Sequence, residues 1–355
     1  MKFTKEEIKQ IEDHISADNI SKVKHPVHDI YILTYTKQCQ YGNAWDDITM
    51  VCRGLVVDAE YNIISHSMKK FFNHFELERM NIEPPVLPFE VFEKMDGSLI
   101  YLFNYNGEWI FISKGSFQSE QCIEAKKIFE EIYSYNWLVK HITYSFEVIY
   151  QENRIVIDYG DRRDLVALTM FDNESGNEIP FYSEPFNIVK KYDGLTQISE
   201  IKDQFNHLRG VEFEGVVLRF NDGFRMKIKM DDYFRLHRLL SGLSEKSLWE
   251  LLSTKADVDE FKSLFVAEEE ILHWINTTIA TFQYKFMTIE DESKRVFSIL
   301  KERTNTQKEF AIEALQCENS SILFSMYHGK SYDGIIWGLL KPKGVNSFRN
   351  IEDLP

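Results

Sequence analysis

Glu93-Lys94-Met95-Asp96-Gly97-Ser98-Leu99 places a lysine, a carboxylate and a glycine between two strand-like segments. The pattern predicts a turn at the mouth of a β-hairpin. A lysine attacks phosphorus only as the neutral amine, and an ordinary pKa of about 10.4 leaves little of that form at pH 7. An adjacent glycine lets a phosphate or a sugar approach the backbone closely. The stretch is therefore a candidate covalent nucleotide site, although a solvated turn would show the same short pattern.

Length and composition are those of a globular protein with two domains. The chain has 355 residues, of which 44% are hydrophobic and 14% aromatic, and its formal net charge is −15. That charge argues against non-specific coating of nucleic acid, which depends on lysine and arginine. No apolar stretch approaches the roughly 20 residues of a membrane span, and the N-terminus lacks the apolar segment of a signal peptide. We therefore expect a cytoplasmic protein.

The four cysteines, Cys39, Cys52, Cys122 and Cys317, are scattered without the C-x-x-C spacing of a zinc site or a disulfide framework. We expect them to be reduced. One locally basic segment stands out within the acidic chain, because residues 219–238 contain six basic and three acidic residues.

From about Val51 to Lys229 the pattern is mostly that of β-strands. Residues 53–58 with 63–68, and 99–103 with 109–113, read as hairpins, and further strands are predicted at 144–150, 154–159, 165–171, 215–220 and 224–230. Alternation in the last strand puts Lys227 and Lys229 on one face. Helices are predicted at 5–15 and 121–135.

After about Leu243 the pattern becomes helical. Apolar residues recur at helical spacing from Ile271 to Phe286, and Thr288 and Thr306 are predicted to cap helices. The predicted fold class is thus α+β, with antiparallel sheets and flanking helices in an N-terminal domain, residues 1–242, and an all-helical C-terminal domain, residues 243–355. The second domain carries 13 basic and 18 acidic residues, which argues against a broad electrostatic RNA platform.

Charged residues that could serve nucleotidyl transfer occur in a fixed order along the β-rich part. The order is Arg53, Lys70, Lys94-x-Asp96-Gly97, Lys114, Glu147, Glu214-Gly215 and Lys227-x-Lys229. It resembles the covalent nucleotidyltransferase superfamily of ligases and capping enzymes. The segments Cys52-Arg53-Gly54-Leu55-Val56, Lys70-Phe71-Phe72-Asn73, Ser113-Lys114-Gly115-Ser116 and Lys227-Ile228-Lys229 resemble the ATP-dependent single-stranded RNA ligases of T-even phage type.

The resemblance implies that Lys94 attacks the α-phosphate of ATP to form a lysyl-adenylate. It further implies that Lys227 and Lys229 bind the α-phosphate and lower the pKa of Lys94, and that Arg53 and Lys70 position phosphates. The remaining implied roles are ribose binding by Glu147, metal binding or lysine orientation by Glu214, adenine contact by Val217 and Tyr233, and motif support by Phe72, Asp96, Gly97, Lys114 and Gly215.

The same resemblance implies ATP and Mg²⁺ as cofactors, with Mn²⁺ as a substitute. The implied substrate is single-stranded RNA with 5′-phosphate and 3′-hydroxyl ends, such as cleaved tRNA, prepared by a separate end-healing kinase/phosphatase. We expect a monomer that acts in the cytoplasm, the host cytoplasm if the chain is phage-encoded.

Three alternatives remain open at this stage. An ATP-dependent DNA ligase and a GTP-using capping enzyme share the lysine motif. These two classes of enzyme resemble each other in having a β-barrel domain after the last lysine motif, whereas the pattern of this chain becomes helical there. A non-catalytic RNA-end binder would lack Lys94 reactivity. A P-loop enzyme is disfavoured because no G-x-x-x-x-G-K-[ST] occurs.

Overall fold

The structure is a computed structural model that describes residues 1–181, 185–265 and 269–344. Its helices are α1 (Lys5–Ser16), α2 (Lys37–Tyr41), α3 (Asp47–Val51), α4 (His74–Arg79), α5 (Glu120–Ile132), α6 (Ile198–Phe205), α7 (Asp231–Gly242), α8 (Glu245–Ser253), α9 (Val258–Ser263), α10 (Glu269–Arg303), α11 (Gln307–Ala314), α12 (Ser320–Tyr327) and α13 (Asp333–Leu339).

The strands are β1 (Ile20–Lys24), β2 (Ile30–Tyr35), β3 (Arg53–Asp58), β4 (Ile63–Ser65), β5 (Phe72–Asn73), β6 (Phe89–Glu93), β7 (Ser98–Tyr105), β8 (Glu108–Ser113), β9 (Ile142–Ile149), β10 (Asp164–Asp172), β11 (Glu178–Ile179), β12 (Lys191–Tyr192), β13 (Gly215–Phe220) and β14 (Arg225–Lys229). Within the described residues they form sheet 1, ordered β1-β2-β3-β4, sheet 2, ordered β11-β10-β9-β7-β8, and sheet 3, ordered β12-β6-β13-β14-β5.

Side chains of β7 in sheet 2 alternate between two hydrophobic cores, one on each face of the sheet. Ile100 and Leu102 face α5, whereas Tyr101 and Phe103 join a core with residues of sheet 1. The opposite face of sheet 1 is covered by α1 and α3, where Ile11 is fully buried. Because successive strand residues point to opposite faces, β7 and β8 each supply both cores. The predicted α+β class with antiparallel sheets is confirmed, with β5 and β14 pairing in parallel.

The lysine motif does not lie in a hairpin, which corrects the first prediction. β6 ends at Glu93 in sheet 3 and β7 begins at Ser98 in sheet 2, so Lys94–Gly97 connects two sheets. Short-range sequence could not reveal this, because the partner strands of β6 are β12 and β13, more than 90 residues away. The connection places Lys94 where the two sheets meet.

Two other local predictions were wrong. Residues 154–159 form no strand, because the backbone N–H groups of Val156 and Ile157 donate to the Asp96 carboxylate instead of to a ladder. Thr288 lies inside α10 rather than at a cap, and its hydroxyl donates to the Tyr284 carbonyl. The predicted helices at 5–15 and 121–135 appear as α1 and α5, although α5 ends at Ile132.

The chain divides into two compact units, Met1–His237 and the residues from Arg238 onward, and the division falls within α7. The described residues after Gly242 contain the helices α8 to α13 and no strand. The apolar stripe of α10 is largely core, with Ile271, Ile275, Ile279 and Phe282 buried. The domain boundary after residue 242 stays a prediction. In the described part of the chain, no helix combines the length and apolarity that crossing a membrane requires.

Candidate active site

Sheet 3 aligns the cations of the candidate site on one face. In the β13–β14 ladder Gly215 lies opposite Lys229, and Val217 lies opposite Lys227. Met226 and Ile228, which alternate with the lysines, are buried on the other face. The predicted alternation is therefore confirmed, and burial of the apolar face holds both lysines toward the site.

Lys94 and Lys229 share one buried carboxylate. Lys94 Nζ lies 2.9 Å from Glu214 Oε1, and Lys229 Nζ lies 3.0 Å from the same oxygen. Glu214 is only 2% exposed. The Lys94 backbone N–H also donates to the Gly215 carbonyl, which fixes the start of the motif against β13. Two charge-assisted contacts to one oxygen fix Lys94 and Lys229 beside Glu214, and the orienting role of Glu214 stays a prediction.

The carboxylates raise the pKa of Lys94, contrary to the expectation that cations lower it. Burial lowers this pKa, but the negative charges of Glu214 and Glu147 outweigh burial. The pKa of Glu214 is lowered in return, because Lys94 and Lys229 outweigh its burial. Lys227 is the lysine whose pKa falls well below its ordinary value, through burial and the charges of Lys70 and Lys229. Lys94 is therefore held as an ammonium until further positive charge arrives nearby.

Asp96 anchors the motif from the opposite side. One of its carboxylate oxygens accepts from the N–H groups of Val156 (2.8 Å) and Ile157 (2.7 Å), and the other accepts from the Tyr233 hydroxyl (2.7 Å). The Asp96 N–H donates to the Tyr159 hydroxyl at 2.9 Å. With three donors to its oxygens, the buried carboxylate serves as a rigid support beside Lys94 rather than as a reactive group.

Glu147 projects from β9 on the side away from α5 and reaches the motif glycine. Its Oε1 accepts from the Gly97 N–H at 3.2 Å. A Cβ on Gly97 would lie 2.6 Å from the Val148 carbonyl oxygen, so the close packing of this turn requires glycine. Burial raises the pKa of Glu147 to about 7, partly offset by Lys94. Its proposed ribose contact stays a prediction.

Glu147→Gln tests that pKa through stability. A raised pKa favours the protonated carboxyl in the folded state, so its contribution is complete below about pH 4.5 and is lost by about pH 7. The glutamine variant cannot ionise. We expect its free energy of unfolding, relative to wild type, to rise between these pH values and to stay flat outside them. Urea titrations from pH 4 to pH 8 measure it; a constant difference would contradict the assignment.

Arg53, at the start of β3, holds a guanidinium group whose charge acts on Glu147. Its Nε and Nη1 are buried and lack a hydrogen-bond partner among the described residues, while its guanidinium lies 5.1 Å from the Phe71 ring. A buried charged donor without a partner is costly unless a ligand satisfies it. The planar fork of arginine fits phosphate oxygens, so this atom pair is a candidate phosphate contact.

An aromatic cluster surrounds Lys70. Its Nζ lies 5.7 Å from the Tyr35 ring, 5.3 Å from Trp45 and 5.1 Å from Phe72, and Lys114 Nζ lies 4.8 Å from Tyr35. Burial and the charges of Arg53 and Lys114 lower the pKa of Lys70, against the opposing effect of Tyr35. The cluster brings Lys70 and Lys114 together, and the buried Phe72 ring forms one of its walls.

The two proposed adenine contacts differ in accessibility. Val217 is partly exposed beside Phe92 and Lys227 on the site face of sheet 3. Tyr233 is 1% exposed, and its ring lies under Lys229 at 5.1 Å. Because its hydroxyl holds Asp96, Tyr233 supports the lysine motif in this structure, and Val217 keeps the adenine assignment as a prediction.

A family model described as RNA ligase matches residues 51–234. The chain belongs to the RNA ligase family. The matched range contains every charged residue of the candidate site, from Arg53 to Lys229. A relative from Autographa californica nuclear polyhedrosis virus, named as a bifunctional polynucleotide kinase/RNA ligase, is 27% identical over 264 residues, which are 67% of this chain and 38% of the relative. The chain thus matches well under half the length of that relative.

Solved structures of RNA ligases are also similar. An archaeal ATP-dependent RNA ligase covers 78% of this chain and 79% of its own length, with 14% identity and a TM-score of 0.47. A Naegleria gruberi RNA ligase mutant, solved with ATP and Mn, covers 48% of this chain and 57% of its own, with 15% identity and a TM-score of 0.38.

Two acidic residues of the candidate site, Glu214 and Glu147, could contact a metal ion that a bound nucleotide holds. In residues 1–181, 185–265 and 269–344, no group of three His, Cys, Asp or Glu side chains could hold an ion. Glu214, the predicted ligand, is already bound to two lysines. Mg²⁺ commonly uses one or two carboxylates together with substrate phosphates and water. Glu214 and Glu147 could supply such contacts, and the metal role of Glu214 stays a prediction.

Gly215 provides a test of how tightly the ligase site is packed. Its φ is +147°, and an added Cβ would lie 2.0 Å from the Ile228 carbonyl oxygen. We expect Gly215→Ala to lower the free energy of unfolding by about 4 kcal/mol or more, as rigid backbone clashes do. Gly223→Ala is the matched control, because its φ is +86° with open space around it. Equal losses in urea titrations would contradict the clash.

Sequence patterns missed three supporting side chains. Tyr159 holds the Asp96 N–H, and Tyr35 and Trp45 surround Lys70. Tyr159 lies in the segment misassigned as a strand, and neither Tyr35 at the end of β2 nor Trp45 carries a spacing signal for a distant lysine. Only the folded arrangement brings them to the site.

Proposed function

We propose that the chain is an ATP-dependent RNA ligase that joins 5′-phosphate and 3′-hydroxyl ends of single-stranded RNA. The observation that supports this most is the grouping of Lys94 with Glu214 and Lys229, 2.9 Å and 3.0 Å from one carboxylate oxygen. It lies within the range matched by the RNA ligase family model. A lysine oriented by a carboxylate beside a second lysine is suited to attack a nucleoside triphosphate once the charge on its amine is removed.

In the first step, neutral Lys94 attacks the α-phosphorus of ATP. A P–N bond forms, the bond to the β-phosphate oxygen breaks, and pyrophosphate leaves while the Nζ proton is lost. Lys227 and Lys229 stabilise the charge on the non-bridging α-phosphate oxygens, and Arg53 and Lys70 bind the departing phosphates. A bound Mg²⁺ supplies positive charge that lowers the pKa of the lysine and neutralises phosphate oxygens.

Two further transfers complete the reaction. An oxygen of the RNA 5′-phosphate attacks the adenylate phosphorus, the P–N bond breaks, and Lys94 regains its amine. The 3′-hydroxyl of the second end then attacks the RNA 5′-phosphorus, a phosphodiester forms, and AMP leaves. Lys227 and Lys229 project from one face of β14, and both would contact the α-phosphate, which reacts in the first two transfers and leaves with AMP in the third.

The proposed reaction needs RNA ends that carry a 5′-phosphate and a 3′-hydroxyl. The viral relative has a name that joins a polynucleotide kinase to an RNA ligase. We infer that this chain seals ends prepared by an end-healing kinase/phosphatase, as in repair of cleaved tRNA, and that it acts as a monomer in the cytoplasm.

A joining assay tests the proposal. We expect 5′-phosphorylated single-stranded RNA with a 3′-hydroxyl to be circularised or joined with ATP and Mg²⁺, and to remain unjoined with GTP. The same RNA with a 5′-hydroxyl is the matched control and should not react. Joining of DNA ends but not RNA ends would overturn the substrate class, and use of GTP would favour capping chemistry.

A further inference from the structure

Two phenylalanine rings are exposed together beside the candidate site. Phe75 is 36% exposed and Phe234 is 38% exposed, and their ring centroids lie 5.7 Å apart in an edge-to-face arrangement. Single exposed apolar side chains are ordinary, but two adjacent aromatic rings form a surface on which a planar group can stack.

The backbone connects this pair directly to the catalytic lysines. Asn73 of β5 pairs with Lys227 of β14, and Phe75 follows Asn73 by two residues in α4. The Phe234 N–H donates to the carbonyl of Met230, the residue after Lys229. Phe234 therefore lies a few residues after β14, and Phe75 lies two residues after the strand residue that pairs with Lys227.

The charges around the rings favour an anionic ligand. The Arg79 guanidinium lies 5.5 Å from the Phe75 ring. Within the described ranges, Arg79 forms no ion pair with a carboxylate. Three nearby carboxylates are already paired with basic side chains, Glu78 with His74, Asp231 with Lys202 and Asp232 with Arg235, and Glu76 accepts from Asn73. An arginine without an ion pair beside aromatic faces matches the phosphates and bases of a single strand.

We propose that Phe75 and Phe234 form a stacking platform for the base of the 5′-terminal nucleotide of the RNA, with Arg79 contacting the phosphate that follows. This inference rests on the proposed function. In transfer of AMP to RNA, the attacking phosphate oxygen must lie roughly opposite the Lys94 nitrogen that leaves. The incoming 5′-phosphate thus enters on the side where pyrophosphate left, next to the α-phosphate that Lys227 binds. The base attached to that nucleotide then lies within reach of the Phe75 and Phe234 rings.

The test compares variants that keep apolar bulk with variants that keep the ring. Full-length Phe75→Leu/Phe234→Leu and Phe75→Tyr/Phe234→Tyr proteins are first adenylated with ATP. Single-turnover transfer of AMP to 5′-phosphorylated RNA is then measured. We expect normal adenylation in both, transfer at limiting RNA slowed about 5- to 150-fold in the leucine protein, which is the scale of one lost stack, and wild-type transfer in the tyrosine protein.

Two controls make the result specific. Trp137→Leu removes a 49% exposed aromatic ring elsewhere in the same unit and should leave transfer unchanged. An RNA that lacks its 5′-terminal base should slow the wild type by the same factor, without further loss in the leucine protein.

Normal transfer by the leucine protein, or equal loss in the tyrosine protein, would overturn the platform. Absence of adenylation in wild type would instead overturn the proposed function, and the platform with it.

Discussion

Lys94→Ala should form no AMP adduct and join no RNA. Removing the attacking atom of a covalent mechanism costs on the order of 10⁶-fold in rate, because no other group can form the intermediate. The variant should still fold, since the Lys94 side chain is partly exposed and its backbone contact with Gly215 is retained. Loss of the ammonium also leaves Glu214 paired with Lys229.

Lys126→Ala is the control for that variant, because Lys126 is an exposed helical lysine in the same unit. Adduct formation is followed by mass or by radiolabelled ATP, and circular dichroism checks the fold. An adduct on folded Lys94→Ala would show that another residue is the nucleophile.

Lys227→Ala should slow adduct formation by about 10² to 10³, the range seen when one donor to a transition-state oxyanion is removed. Burial and neighbouring cations lower the pKa of this lysine, and the charge of Glu76 offsets them only in part. Because burial of the Lys227 ammonium already costs electrostatic free energy, its removal should slow adduct formation without lowering the free energy of unfolding.

Lys191→Ala is the matched control for Lys227→Ala, because Lys191 lies in β12 of the same sheet and pairs with Glu90 at 2.9 Å. Single-turnover adenylation rates and urea midpoints are measured for both proteins. An unchanged rate in Lys227→Ala would remove this lysine from the site, and a large loss of stability would make its role structural.

The sequence predicted the local features well, because they depend on short periods. Alternation placed Lys227 and Lys229 on one face of β14, and hydrophobic spacing predicted α1, α5 and the core stripe of α10. The charged set from Arg53 to Lys229 could be found because its members lie within recognisable short motifs.

The predictions that were wrong concern residues whose structure or pKa depends on contacts between distant segments of the chain. The link from Glu93 to Ser98 resembles a hairpin turn, but its flanking strands pair in different sheets. Residues 154–159 have strand composition, yet the Asp96 carboxylate takes their N–H groups. The pKa of Lys94 also depended on which charge lies nearest, and that charge is Glu214 at 2.9 Å.

The most direct test is to locate the covalent intermediate. Protein first shown to be unmodified is incubated with Mg²⁺ and either ATP or GTP, and its intact mass and peptide masses are then measured before and after addition of 5′-phosphorylated RNA. The account predicts one AMP adduct, formed with ATP only, on the peptide that contains Lys94, and its loss as joined RNA appears. No adduct, or an adduct on a different lysine, would contradict it.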